Sequence, residues 1–178
     1  MKKVLILSSS PRRNGNSAVL CRQFAAGAES AGHSAEILDL ARVKVSPCLG
    51  CNACYRNGGT CIQKDDMTEI REKMLAADVI VLASPIYFYS MTAQMKTVID
   101  RTYAFYQELA GKEFYYIITC GGPGMEYTET MVASLRGFTC CIPDAQEKGI
   151  LCGTGVNEPG EVKNAESYIK AYEMGQNC

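Results

Sequence analysis

Residues Lys3 to Ser17, KVLILSSSPRRNGNS, pass from an apolar run into hydroxyls, amides, two arginines and a glycine, and then straight into a helical pattern. The run Lys3–Ser8 (KVLILS) is short and continuous, as a strand buried on both faces should be. From Ser17 to Ala31 the apolar positions Leu20, Phe24, Ala28 and Ala31 fall on one face, and Gly32 supplies the stop. A buried strand that delivers a polar loop onto a helix N-terminus is the opening of a βαβ unit.

The same alternation continues along the chain. Strands are predicted at Ser34–Leu38, Val79–Ala83, Phe114–Thr119 and, more weakly, Gln146–Cys152. Helices are predicted at Asp66–Ala76, from Thr92 to about Phe105, from Thr128 to about Gly137, and at Glu161–Met174. Asp66 with Glu69 reads as a capping box, with Met67, Ile70 and Met74 turned inward. Asn16 or Ser17 reads as the first helix's N-cap. Strands and helices in this order make an α/β fold with a doubly wound, five-stranded parallel sheet, expected in the order 2-1-3-4-5. There is no repeat or linker, so residues 1–178 read as one domain. In such a sheet the ligand crevice lies outside the carboxyl ends of strands 1, 3 and 4.

Composition narrows the function. With 18 Lys+Arg against 19 Asp+Glu the net charge is −1, which argues against a nucleic-acid binder. The longest nearly apolar run, Val79–Met91, is too short to span a bilayer. The opening MKKVLILSSSPRRNGNS lacks the pattern of a signal peptide, so a cytoplasmic protein without membrane partners is expected. Ten cysteines in such a chain read as reduced thiols or metal ligands, not as disulfides.

Three loops meet at the expected crevice. Ser8 to Ser17 offers hydroxyls, amides, Arg12 and Arg13, and the free N–H groups of a helix N-terminus, which together suit a phosphate monoester. The loop is not a Walker A, no G-x-G-x-x-G follows a strand, and no C-x5-R occurs. After strand 3, Ser84-Pro85-Ile86-Tyr87-Phe88-Tyr89-Ser90 carries three consecutive aromatics, suited to a flat ring or to a second subunit. After strand 4, Cys120-Gly121-Gly122-Pro123-Gly124 lets backbone approach a ligand closely. A phosphate cradle, a flat-ring loop and a close-approach glycine loop describe FMN.

At these residues the chain resembles the NADPH-dependent FMN reductase family of the flavodoxin-like superfamily. The resemblance is carried by Ser10-Pro11-Arg12 with Asn16-Ser17, by SPIYFYSMTAQMKTVIDR (84–101), by Cys120-Gly121-Gly122 and by GILCGTGVNEPGEVKN (149–164). It implies that Ser10, Arg12, Asn16 and Ser17 hold the phosphate. It places Pro85, Ile86, Tyr87 and Phe88 along the ribityl chain and ring, and Gly121 with Gly122 at the ring's polar edge. Ser9 stands where many members have glycine.

An insert at about residues 46–62 contains PCLGCNACYRNGGTC, a C-x2-C-x2-C-x6-C arrangement of Cys48, Cys51, Cys54 and Cys61. Thiolates at this spacing match the ligand count of a [4Fe–4S] cluster, whereas structural zinc usually takes two separated pairs. Free thiols and zinc stay open beside the cluster. The insert resembles the iron-sulfur flavoprotein branch of the same family. Leaving strand 2 at its carboxyl end, it is expected beside the flavin. His33, the only histidine, reads as an exposed cation at a helix end. Cys21, Cys140, Cys141 and Cys152 read as core or helix-face residues.

The expected activity is that of an FMN-dependent oxidoreductase, with flavin chemistry in place of an acid–base pair. The resemblance implies NAD(P)H as donor, and the acceptor is a small molecule or a redox protein. The alternative is a non-enzymatic carrier that shuttles electrons through FMN and a cluster. The aromatics Tyr87–Tyr89, Tyr103 and Tyr106 exceed what one flavin covers, so a homodimer or homotetramer is expected.

Overall fold

The computed structural model describes residues 1–178. Five strands, β1 (Lys3–Ser8), β2 (Ser34–Asp39), β3 (Val79–Pro85), β4 (Glu113–Thr119) and β5 (Gln146–Gly153), form one sheet in the order β2-β1-β3-β4-β5. Every pairing is parallel. This is the flavodoxin-like arrangement expected from the alternating pattern. β3 is buried along its first six residues because helices cover both faces.

Strand alternation splits the interior into two cores. Val4, Ile6, Val81 and Ile117 face helices α1 (Asn16–Ser30) and α6 (Glu166–Gln176). Leu5, Leu7, Leu82 and Tyr116 face α3 (Met67–Ala76), α4 (Ala93–Arg101) and α5 (Glu129–Thr139). Phe24 of α1 meets Tyr115 edge-on at 5.3 Å between ring centres. α1 and α6 cross at two glycines whose missing side chains are the condition of the contact. A Cβ on Gly27 would lie 2.0 Å from the Tyr172 carbonyl oxygen, and one on Gly175 would lie 2.1 Å from that of Phe24.

Several ends differ from expectation. α1 is capped by Gly15 in extended conformation, with no side-chain cap; Asn16 and Ser17 are its first helical residues. The Asp66–Glu69 capping box does not form. Asp66 instead accepts from the Lys44 N–H at 2.7 Å, and the neighbouring Asp65 accepts from the Met67 N–H at 3.2 Å. α4 ends at Arg101 and passes into two 3₁₀ turns, Thr102–Ala104 and Tyr106–Leu109. The last helical pattern is broken at Ala165, with a 3₁₀ turn at Glu161–Asn164 before α6. A short helix not expected from the sequence, α2 (Ala53–Arg56), lies inside the cysteine insert. His33 is half-buried rather than exposed: Nδ1 accepts from the Lys2 N–H at 3.3 Å, and Nε2 lies 3.1 Å from the Cys178 carbonyl. Cys21 is buried, and burial pushes its thiol up to about 12. Cys140 and Cys141 sit exposed past the end of α5, not in the core. No helix is long and apolar enough to cross a membrane.

Candidate functional site

The loops after β1, β3 and β4 meet in one cleft of about 160 Å³. Ser10, Arg12, Asn16 and Ser17 line it from the first loop, Pro85, Ile86 and Tyr87 from the second, and Gly121 from the third. Thr119, Cys120, Val156 and Asn157 complete it.

Its floor is the N-terminus of α1. Val19 is the first helical residue whose N–H reaches a carbonyl behind it, that of Gly15 at 3.0 Å. The amides of Asn16, Ser17 and Ala18 are therefore the free donors that every helix start presents. Ser17 is 1% exposed, and its Oγ has no hydrogen-bond partner within the chain. A buried hydroxyl left unpaired is costly, so a missing acceptor is the economical account. Gly15 keeps the cradle open, since a Cβ there would lie 2.7 Å from the Ser10 Oγ. These features fit a phosphate monoester.

The other polar residues of this loop shape the cradle. Ser10 Oγ accepts from the Arg12 N–H at 3.2 Å, closing a tight turn. The Arg12 side chain is exposed and donates from Nη1 to the Asn157 carbonyl at 3.1 Å. Asn16 spends its side chain on the loop after β5, donating to the Glu158 carbonyl at 3.0 Å and accepting from the Val162 N–H at 3.2 Å. Its side chain is thus a strut, and its backbone amide is what serves the helix terminus. Glu161 accepts from the N–H groups of Asn157 and Glu158 at 2.7 and 3.0 Å, and these bonds hold its carboxyl below the usual range. Ser9 fills its position productively: its N–H and Oγ both donate to the Ala83 carbonyl at 2.9 Å, extending the β1–β3 contact.

The second loop is latched by Ser84, whose Oγ accepts from the Thr92 N–H at 3.0 Å and donates to the Pro85 carbonyl at 2.8 Å. Tyr87 and Ser90 exchange backbone bonds of 2.9 and 3.1 Å across a two-residue turn. Phe88 and Tyr89 occupy that turn at φ of 49° and 62°. Aromatic residues there are strained by roughly 1–3 kcal/mol each. Phe88 is fully exposed and does not line the cleft, while Tyr87 lines it.

The glycine pair also divides. Gly121 lines the cleft against Asn157, but Gly122 does not; it packs under Tyr127, where a Cβ would lie 2.4 Å from the ring. Cys120 lines the cleft with its thiol donating to the Gly122 carbonyl at 3.3 Å, and burial raises its pKa. A thiol so placed is a filler of the turn, not a thiolate nucleophile. Asn157, Val156 and Thr119 are site residues that the sequence reading missed. The Asn157 segment carried a family resemblance, but its contact with Arg12 and Gly121 exists only once β5 lies beside β4.

The insert lies elsewhere. None of its residues lines the cleft. Lys44 and Ser46 bond to the carboxylates of Asp66 and Asp65 at 2.7 and 3.0 Å, so the chain is tied to the start of α3. Cys54, Tyr55, Gly58 and Gly59 then face Tyr103–Glu108 across a 290 Å³ hollow. All ten cysteines are free thiols. Cys48 and Cys51 are exposed, Cys54 and Cys61 half-buried. No three ligand-type side chains converge on one point. Four free thiols on one short segment fit a metal–sulfur centre in donor type and number. Their sulfurs stand apart, and no coordination geometry follows from them.

Comparison with known proteins agrees with this picture. The family model for NADPH-dependent FMN reductase matches residues 2–147. An iron-sulfur flavoprotein of Archaeoglobus fulgidus is 37% identical over 179 residues, covering 98% of this chain and 77% of that protein. One from Methanocaldococcus jannaschii is 32% identical, covering 91% of this chain and 87% of its own length. Other iron-sulfur flavoproteins match over about half their length. Among solved structures, the NAD(P)H:quinone oxidoreductase of Methanothermobacter marburgensis shares the fold, with a TM-score of 0.76 at 21% identity over 99% of this chain and 95% of that one. The sequence match along 146 residues (2 to 147) and the two relatives above 30% identity place the matter beyond fold alone: the chain belongs to the NADPH-dependent FMN reductase family of FMN-dependent oxidoreductases, in its iron-sulfur flavoprotein branch.

Proposed function

We propose that this chain binds FMN in the cleft between the β1, β3 and β4 loops and passes electrons from NAD(P)H to a small-molecule or redox-protein acceptor. The carrying observation is the buried, unpartnered Ser17 hydroxyl at the first turn of α1. Bound there, FMN would accept a hydride and release electrons singly or in pairs. The protein's part is to bind and orient: the α1 amides and Ser17 take the phosphate, and Pro85, Ile86, Tyr87 and Gly121 take the rest. Ser17→Ala is expected to weaken FMN binding by about 1.5 kcal/mol, roughly tenfold. Riboflavin binding and the flavin-free protein's melting temperature should hold or rise, because an unsatisfied buried group is removed. Equal losses for both flavins, measured by fluorescence titration, would show that Ser17 serves only the fold.

The same reading includes assembly. The cleft's 160 Å³ is below the ~300 Å³ at which ordinary ligand pockets begin, so one chain leaves much of a flavin ring uncovered. Tyr87, Phe88 and Tyr89 stand exposed at its mouth. A homodimer or a dimer of dimers closing over this turn supplies the cover. Sedimentation should give at least twice the 19.4 kDa chain mass, and a monomer at micromolar concentration rejects it.

For the insert we propose Cys48, Cys51, Cys54 and Cys61 as ligands of an iron–sulfur cluster. The names of the relatives and the four free thiols of one loop support it.

A further inference from the structure

The deepest charged group in the protein is not in the flavin cleft. Arg101, the last residue of α4, is 3% exposed. Its fork grips Asp65 with Nη1 at 2.7 Å and Nη2 at 3.0 Å, and Nη1 also donates to the Ser46 carbonyl at 2.8 Å. The Asp65 carboxylate in turn accepts from the Ser46 N–H at 3.0 Å. Ser46 enters the cysteine loop and Asp65 leaves it, so one guanidinium fastens both ends. One donor remains. Arg101 Nε is buried with no hydrogen-bond partner. Arg101 and Cys61 line the same 130 Å³ cavity. Arg71, whose Nε also lacks a partner, lines that cavity too.

We propose that Arg101 is the positioning residue of the cysteine loop: its fork closes the loop at Ser46 and Asp65, and its Nε–H is held for the sulfur of Cys61. The inference rests on the reading of Cys61 as a metal ligand. An N–H aimed at a ligating sulfur stabilises the thiolate, orients it, and raises the reduction potential of the centre it binds. Lysine cannot substitute, because an ammonium offers no planar fork with a third donor on its edge. Arg101 does not line the flavin cleft, so its effects should be confined to the loop.

The test uses the full, FMN-loaded, metal-free chain. Cobalt(II) is titrated in without oxygen, and thiolate ligation is read from the sulfur-to-cobalt charge-transfer band. Arg101→Lys should weaken cobalt binding about tenfold with FMN affinity unchanged. In a Cys61→Ser background the same change should weaken it less, leaving only the loss from the opened fork, a coupling that a purely structural role would not give. After reconstitution with iron and sulfide, the variant's centre should have a lower midpoint potential than the wild type's. Should Arg101→Lys not fold, Asp65→Asn loosens the same fork, and a weakened cobalt site is expected there too. Unchanged cobalt affinity in a folded variant, equal losses with and without Cys61, or no charge-transfer band in the wild type would each overturn the proposal. Arg101-dependent cobalt binding without uptake of iron and sulfide would reject the cluster and leave the role of Arg101 standing.

Discussion

Gly27→Val is expected to destabilise the protein by about 3 kcal/mol or more, although valine is a better helix former than glycine. The reason is the contact between α1 and α6, where a Cβ on Gly27 meets the Tyr172 carbonyl oxygen at 2.0 Å. Backbone cannot rotate away as a side chain can, so the two helices must separate along a face that buries Phe24 and Ala28. Gly175→Ala should act alike from the opposite helix, against the Phe24 carbonyl. At this size each kcal/mol moves the melting temperature by roughly 2–4 °C, so a fall of about 6–12 °C is expected by circular dichroism. Gly137 of α5 is the contrast. A Cβ there meets nothing within 4 Å, so Gly137→Ala should raise stability by about 0.5–1 kcal/mol. If both substitutions have the same sign, helix propensity and not the crossing governs these sites.

Arg12→Ala is expected to lower FMN affinity by about 1.5–3 kcal/mol, or roughly 10- to 150-fold. Its guanidinium lies at the phosphate loop and already ties that loop to Asn157. Both consequences of its loss point the same way: in the proposed site a charge-assisted bond to the phosphate would go, and the loop after β5 loses one fastening. Riboflavin, lacking the phosphate, separates the two. Its affinity should change little if the charge dominates, and should fall in parallel if the fastening does. Raising the salt concentration should shrink the FMN effect, because the side chain is exposed.

The fold could be read from the sequence because buried strands announce themselves locally. Lys3–Ser8 and Val79–Ala83 are continuous apolar runs, and their alternation with amphipathic helices admits few topologies. The cleft could be read for a related reason, since the sheet order alone assigns its position. What stayed hidden depends on contacts between distant segments. Asn16 has the composition of a phosphate ligand, yet its side-chain amide is claimed by Glu158 and Val162 from the segment after β5. Gly122 carries the signal of a ligand loop, but Tyr127 occupies its open face. Phe88 belongs to an aromatic run, and only the left-handed turn turns it outward. The position of the cysteine loop depended on a buried pair, Asp65 with Arg101, that no local pattern links.

That pair has an evolutionary consequence. Residues 47–64 begin and end at the same guanidinium, so for the rest of the protein they behave as an appendage hung from a single peg. Closing a longer or shorter span between fixed ends changes the entropy cost only slowly, by about 0.6 kcal/mol per doubling of length. Such a segment can gain residues, lose them or change its cysteine spacing with little disturbance to the sheet or the flavin cleft, provided the peg survives. Ser46 and Asp65 thus mark the splice points at which a cassette of this kind could be grafted onto, or removed from, a sheet built for a flavin alone.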